Sequence, residues 1–163
     1  TEMMQDGGAD FYDSDQCADG KWIAIGSIEP QFYALLLEKT GLNDPMYLQQ
    51  MNRAEGPKLR AGLADAIRQK TQAEWCEIMD ATDVCFAPIL TIEEAPKHKH
   101  NVARETFIEI DGVVQPAPAP RFSATPGKVQ FAPAQTGAHN ESALKDWGFS
   151  ESDVKALQDS GAL

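Results

Sequence analysis

Glu29 is followed directly by Pro30, and the pair stands where an apolar run, residues 22–28, gives way to the helical pattern that opens with Gln31-Phe32-Tyr33. Proline suits the first position of a helix, since its missing N–H would find no intrahelical partner there. That puts Glu29 at the N-cap, where free backbone N–H groups and the helix dipole favour an anion. A strand-to-helix junction is also where open α/β sheets place ligand groups. Two roles follow for this carboxylate: a structural cap contributing about 1 kcal/mol, or a charge presented to a ligand. On spacing alone the cap is the better supported, because such carboxylates mark sites only statistically.

The other polar motifs carry weaker chemistry. Lys97-His98-Lys99-His100 is the only basic, histidine-bearing cluster. It could hold a phosphate, or a metal through His98 and His100, but no third ligand is in view; a solvated loop after a helix is the better reading. His139 is isolated and suits local hydrogen bonding. Asp13, Asp15 and Asp19 lack the Gly and Glu positions of a calcium loop and read as turn chemistry. The Met3-Met4 pair and Met46 with Met51 could face a lipophilic acyl group, because methionine adapts to irregular ligands; core filling is its commoner use. Trp22, Trp75 and Trp147 read as core or interface aromatics. There is no nucleophilic triad, phosphate loop or dinucleotide fingerprint.

The elements that must position these groups follow from pattern. Residues 1–10 are polar, are broken by Gly7-Gly8, and read as a linker without an element of its own. A short strand over 11–16 and a turn at Asp19-Gly20 lead into the strand over 22–28. The helix from Pro30 shows Phe32, Leu35 and Leu36 on one face and ends at Gly41. A short helix over 45–50 comes next, then a longer one over 57–70 with Leu59, Leu63, Ala66 and Ile67 aligned. Thr71-Gln72-Ala73-Glu74 is a capping-box pattern before a helix carrying Trp75, Ile78 and Met79. Residues 84–90 form a short strand whose Pro88 argues for an edge. Thr91-Ile92-Glu93-Glu94 repeats the capping-box pattern before a helix stopped near Pro96. A hairpin turns at Gly112. Beyond it lie a proline-rich, aperiodic stretch and two short helices, near 141–147 and after Ser150, the latter with Val154 and Leu157 inside and Gly161 at its end. The division is thus residues 1–20 as linker and first strand, 21–115 as a small α/β domain, and 116–163 as an extended crossing segment with helices that needs a surface to lie on.

At 163 residues and 42% hydrophobic content the chain suits one domain with an appendage. A formal net charge of −11 argues against nucleic acid or an anionic membrane as the main partner. No apolar run approaches the roughly 20 residues of a membrane span, and no signal peptide is visible. Cys17, Cys76 and Cys85 lack paired spacing and read as free thiols in a reducing compartment, hence a cytoplasmic protein. A chain that opens at Thr1 reads as a piece of a longer protein.

Three runs in order, Gly7-Gly8-Ala9-Asp10-Phe11-Tyr12, Cys17-Ala18-Asp19-Gly20-Lys21-Trp22 and Gly26-Ser27-Ile28-Glu29-Pro30-Gln31-Phe32-Tyr33, resemble the α-methylacyl-CoA racemases of the family III CoA-transferase superfamily. Glu74-Trp75, Ala87-Pro88-Ile89-Leu90, Glu93-Glu94-Ala95-Pro96, His100-Asn101-Val102-Ala103-Arg104, Phe107-Ile108-Glu109, residues 116–123 and Gly148-Phe149-Ser150 continue the likeness over nearly the whole chain. Two departures stand out: His98-Lys99-His100-Asn101 replaces the family's His-Pro-His-Asn, and Asp10 occupies a usual proline position. The CoA-transferase branch usually has a longer glycine-rich loop early on and lacks the Glu-Pro pair, which favours the racemase branch.

The resemblance implies an α/β fold: the small domain of the family III CoA-transferases, with a small mixed or antiparallel sheet, helices, and a C-terminal segment returning to a large domain outside this chain. It implies an interlocked homodimer in the full-length protein and 2-methylacyl-CoA as substrate, with coenzyme A part of that substrate and no separate cofactor or metal. The reaction would remove and return the α-proton, using a His and a carboxylate of the large domain. Glu29 would orient or tune that His, and Tyr12 and Ile28 would touch substrate. The alternatives are a family III CoA-transferase moving CoA between carboxylic acids, and a non-catalytic dimerisation module.

Overall fold

The Asp19-Gly20 turn folds the chain into an antiparallel hairpin, β1 (Tyr12–Gln16) against β2 (Trp22–Gly26), with Tyr12 opposite Gly26 and Gln16 opposite Trp22. β3 (Phe86–Ile89) adds to the free side of β2, also antiparallel, in the order β1-β2-β3. The N–H of Gly26 donates to the carbonyl of Cys85 at 2.9 Å. Alternation along the ladder then turns the nitrogen of Pro88 toward the open edge, where a missing donor costs nothing. The expected edge position of Pro88 is met.

The computed structural model describes residues 3–163 and divides them into two compact units, one ending at Glu94 and one running from Ala95 to Leu163. In the first unit, β2 alternates so that Ile23 and Ile25 face the helices while Trp22 stays partly exposed. Three helices cover that face. α1 (Pro30–Thr40) contributes Tyr33 and Leu36, α2 (Gly56–Ile67) contributes Leu63 and Ile67, and α3 (Gln72–Met79) contributes Trp75 and Met79. α1 ends where Gly41 takes a left-handed conformation, φ 76°, which only glycine adopts without cost. α3 begins at the predicted capping box, with both reciprocal Thr71–Glu74 bonds made. The Trp75 indole N–H donates to the Ile67 carbonyl at 2.8 Å, tying α3 to the end of α2. The buried Gln72 amide donates to the carbonyls of Trp22 (2.6 Å) and Ile89 (3.0 Å), pinning two strand ends with one side chain.

Several sequence readings change here. Residues 4–6 form a 3-10 helix (Met4–Asp6) and Asp10 is buried, rather than both being part of a linker, and Phe11 is buried just before β1. Thr1 and Glu2 lie outside the described residues. Phe11 packs edge-on against Tyr33, ring centroids 5.7 Å apart, so the segment is drawn in by the apolar surface of α1. Asp13 and Asp15 are strand residues, not turn residues. They sit opposite Ile25 and Ile23 on the helix-facing side, where Arg60 of α2 forms an ion pair with Asp13. Asp19 alone does turn chemistry, accepting from the N–H groups of Lys21 and Gln72. The Thr91–Glu94 capping bonds form, but only a turn and a 3-10 helix (Ala95–Lys97) follow. The short helix expected over 45–50 is a 3-10 turn, Pro45–Leu48, begun by Asp44.

In the second unit, α4 (Lys99–Ala103) precedes a hairpin of β4 (Phe107–Ile110) and β5 (Val113–Pro116). Its two-residue turn, Asp111-Gly112, has both φ angles positive (50° and 79°), the type I′ geometry that matches strand twist. This hairpin groups with the C-terminal unit, whereas the sequence division placed it with residues 21–115. Residues 117–138 form no helix or strand, and Phe122 and Phe131 stay exposed. α5 (Asn140–Asp146) and α6 (Glu151–Asp159) close the chain. Ser150 makes its capping box with Asp153, and Val154 is buried.

Candidate functional site

Glu29 stands where the sequence puts it. It is the residue before α1, with extended backbone (φ −72°, ψ 141°), and its carbonyl accepts from the N–H groups of Phe32 and Tyr33 at 3.0 Å each. Its backbone therefore does the capping. Its side chain makes no cap hydrogen bond and is exposed, so the structural-cap reading of the carboxylate is not met. The charge is held at a helix N-terminus and is not consumed there.

The junction before it is fixed from three directions. Ser27 is fully buried; its N–H donates to Phe11 (2.9 Å) and its hydroxyl to the Val84 carbonyl (2.6 Å). The N–H of Ile28 turns back to the Gly26 carbonyl at 2.9 Å. The Gln50 amide then donates to the carbonyls of Ser27 (3.0 Å) and Ile28 (2.9 Å). Tyr12, opposite Gly26 in the ladder, lays its ring beside that glycine, and Tyr12 and Ile28 are both half-buried against the core. Tyr12, Ile28 and Glu29 thus belong to one end of the sheet. Cys85 is there too, with φ 57° and its thiol donating to the Asp83 carbonyl. Burial first, and then the Glu29 and Asp83 carboxylates, push that thiol above its ordinary range, which leaves it a poor nucleophile. Burial likewise pushes Cys17 up to about 11.

A cleft of about 240 Å³ opens on the neighbouring surface, with Met4, Asp10, Phe11, Gln50, Met51 and Arg53 among its walls. It brings together two of the four methionines singled out from sequence. Met3 is largely exposed, and Met46 is not among the residues of this cleft. Asp10 accepts from the Tyr33 hydroxyl at 3.1 Å. Burial raises its carboxyl above the usual range, opposed by that hydrogen bond, its own backbone and Arg60. A folded-state value above the unfolded one means stability that is complete below the unfolded value and lost as pH rises through the folded one. Asp10→Asn keeps an acceptor for Tyr33 and removes the buried charge. It is expected to melt about 2–4 °C above the parent at pH 7, with the gain vanishing as pH falls to about 4. Melting curves of both proteins across that range check it, and equal curves at pH 7 would contradict it.

The basic cluster is not a loop. Lys97 ends the 3-10 turn, His98 is the N-cap of α4, and Lys99 and His100 are its first residues. The Asn101 amide holds the bend through the Ala95 carbonyl at 2.8 Å. Among the described residues no group of three or more His, Cys, Asp or Glu could hold a metal ion. The carbonyl of His139 accepts from the Ala143 N–H and the Ser142 hydroxyl, while its side chain makes no cap hydrogen bond and its ring lies 5.1 Å from that of Phe131.

Residues 2–140 match the model of the family described as CoA-transferase family III. The chain belongs to the family III CoA-transferases. Within it, the chain is similar to α-methylacyl-CoA racemase of Mus musculus, 44% identical over 160 residues that cover 96% of this chain and 42% of that protein. It is 42% identical over 158 residues to the Homo sapiens racemase, covering 96% of this chain and 41% of that protein. The chain thus spans about two fifths of the length of the relatives it matches. Its fold is similar to that of Rv3272 from M. tuberculosis, with a TM-score of 0.65 at 20% identity over 82% of this chain and 38% of that one.

For this family III CoA-transferase chain, Gln50, Gln72 and buried Asp10 are the positions that sequence reasoning passed over. Glutamines leave no periodic signal, and their partners are carbonyls 17 to 50 residues away. Asp10 was visible only as a departure from a usual proline.

Proposed function

We propose that the full-length protein containing this chain is an α-methylacyl-CoA racemase-like isomerase, cytoplasmic and homodimeric, in which this chain supplies the small domain and the segment returning to the large one. The reaction takes the α-proton of a 2-methylacyl-CoA thioester, passes through an enolate stabilised by the site, and returns a proton on either face. A His and a carboxylate of the large domain serve as opposed acid and base, since the thioester makes the α-proton acidic enough for such groups. Glu29 orients the His or holds its charge, and Tyr12 and Ile28 flank the substrate. The Met4, Phe11 and Met51 wall of the cleft suits an acyl chain. Coenzyme A enters only as part of the substrate.

The observation that carries this reading is the exposed Glu29 carboxylate, without a cap bond, at a junction whose backbone is held by Phe11, Gly26 and Gln50. The deciding experiment incubates the full-length protein with 2-methylacyl-CoA in deuterated water. Deuterium at C2 with loss of stereochemical purity is expected, and the 163-residue chain alone should exchange nothing. Turnover by the chain alone would overturn the fragment reading. CoA transfer to a free carboxylic acid, with a trapped acyl-aspartyl intermediate and no exchange, would move the protein to the transferase branch, which is represented by a malate CoA-transferase subunit at 28% identity.

A further inference from the structure

We infer that Gln50 is a positioning residue for Glu29. The inference rests on the isomerase reading above and adds to it the group that sets where the Glu29 carboxylate points. The carbonyls of Ser27 and Ile28 precede the N-cap, so they lie outside the α1 hydrogen-bond ladder, whose first acceptor is Glu29 itself. In a half-buried junction each needs a donor from elsewhere. One amide, Gln50 Nε2, serves both, at 3.0 and 2.9 Å.

This clamp acts on two consecutive peptide groups, the second of which is the bond joining Ile28 to Glu29. Their orientation fixes the φ of Glu29 and hence the direction of its Cα–Cβ bond. The Glu29 side chain makes no cap hydrogen bond and is exposed. Its aim is therefore inherited from the backbone, and the backbone is aimed by Gln50. The same residue lines the cleft with Met51, on a segment without helix or strand structure of its own. A turn segment and a strand–helix elbow, 22 residues apart in sequence, meet through this single side chain.

The test is a double-mutant cycle in the full-length protein, with deuterium exchange into 2-methylacyl-CoA as the assay. Gln50→Leu removes the donor at similar volume and is expected to lower kcat about tenfold with KM within about twofold, because a small misplacement of a site group costs rate rather than binding. Gln50→Asn, which keeps the amide but withdraws it by one methylene, is expected to fall between and covers the case in which the Leu variant folds poorly. In a Glu29→Gln background, Gln50→Leu should lower kcat by less than twofold, since residues acting through one group are not additive. A kcat for Gln50→Leu and Gln50→Asn equal to wild type, with Glu29→Gln impaired, would overturn the Gln50 assignment while leaving the isomerase reading in place. Equal tenfold losses in both backgrounds would overturn it as well, showing a purely structural clamp. If Glu29→Gln itself exchanges deuterium like wild type, the role of Glu29 fails and the Gln50 proposal falls with it.

Discussion

Glu29→Gln in the full-length protein is expected to lower kcat for α-proton exchange by about 100-fold while KM for the acyl-CoA changes by less than about twofold. The substitution is nearly isosteric. The backbone of Glu29 already caps α1 through its own carbonyl, and the side chain contributes no bond to that cap. The fold should therefore be indifferent, and the melting temperature should move by no more than a degree or two. What changes is a negative charge presented at the helix N-terminus. On the isomerase reading proposed above, an imidazole of the large domain that gains a proton during α-proton removal would be stabilised by that charge and held in one tautomer by a hydrogen bond to it. A neutral amide can do neither well. On the same reading, with the CoA portion held by the large domain, its binding should hardly change. Glu29→Asp, which keeps the charge but withdraws it, should recover part of the loss. An unchanged kcat would leave Glu29 a residue whose backbone alone matters.

Trp75→Ala is expected to be the most destabilising single truncation in the N-terminal unit, costing about 3–5 kcal/mol. The indole is 1% exposed and packs in the cluster that joins Ile23 and Ile25 of the sheet to Leu63 and Ile67 of α2. A buried tryptophan removes about 150–250 Å² from water. Truncation also removes the shorter hydrogen bond to the Ile67 carbonyl, leaving it only the Lys70 N–H at 3.4 Å. Because whole domains are stable by only about 5–15 kcal/mol, the variant should be largely unfolded at 37 °C. Trp75→Phe keeps most of the volume and loses the N–H, so it should cost about 1–3 kcal/mol. Urea titrations followed by circular dichroism separate the two. A Trp75→Phe variant as unstable as Trp75→Ala would mean that the hydrogen bond, rather than packing, carries the position.

The elements that were legible share a reason. The α1 start at Pro30 and stop at Gly41, the Thr71 capping box, the Ser150 cap and the turn at Gly112 are all set by bonds within a few residues. Local sequence contains both partners of each. The Thr91–Glu94 box shows the limit: its two bonds form as written, yet no α-helix follows, because the next residues are Ala95 and Pro96 and a cap stabilises only a helix that can propagate. The basic cluster fails in the other direction. It was read as a loop, and it starts a helix once His98 takes the N-cap.

The residues that were misread depend on partners far along the chain. Asp13 and Asp15 look like turn acids until strand alternation places them beneath α2, where Arg60 meets them. Residues 4–10 look like a linker until α1 offers the Tyr33 hydroxyl to Asp10. By itself the sequence determined α1 to α3, the two C-terminal helices and both hairpins, because propensity, capping and turn chemistry act over short spans, and its motifs carried the family resemblance. Only the tertiary structure decided whether the Glu29 carboxylate is spent as a cap or left free. That depends on where the bonds at the junction go: the Ser27 hydroxyl donates outward to Val84, the Gln50 amide donates to the Ser27 and Ile28 carbonyls, and the Glu29 side chain makes no cap bond.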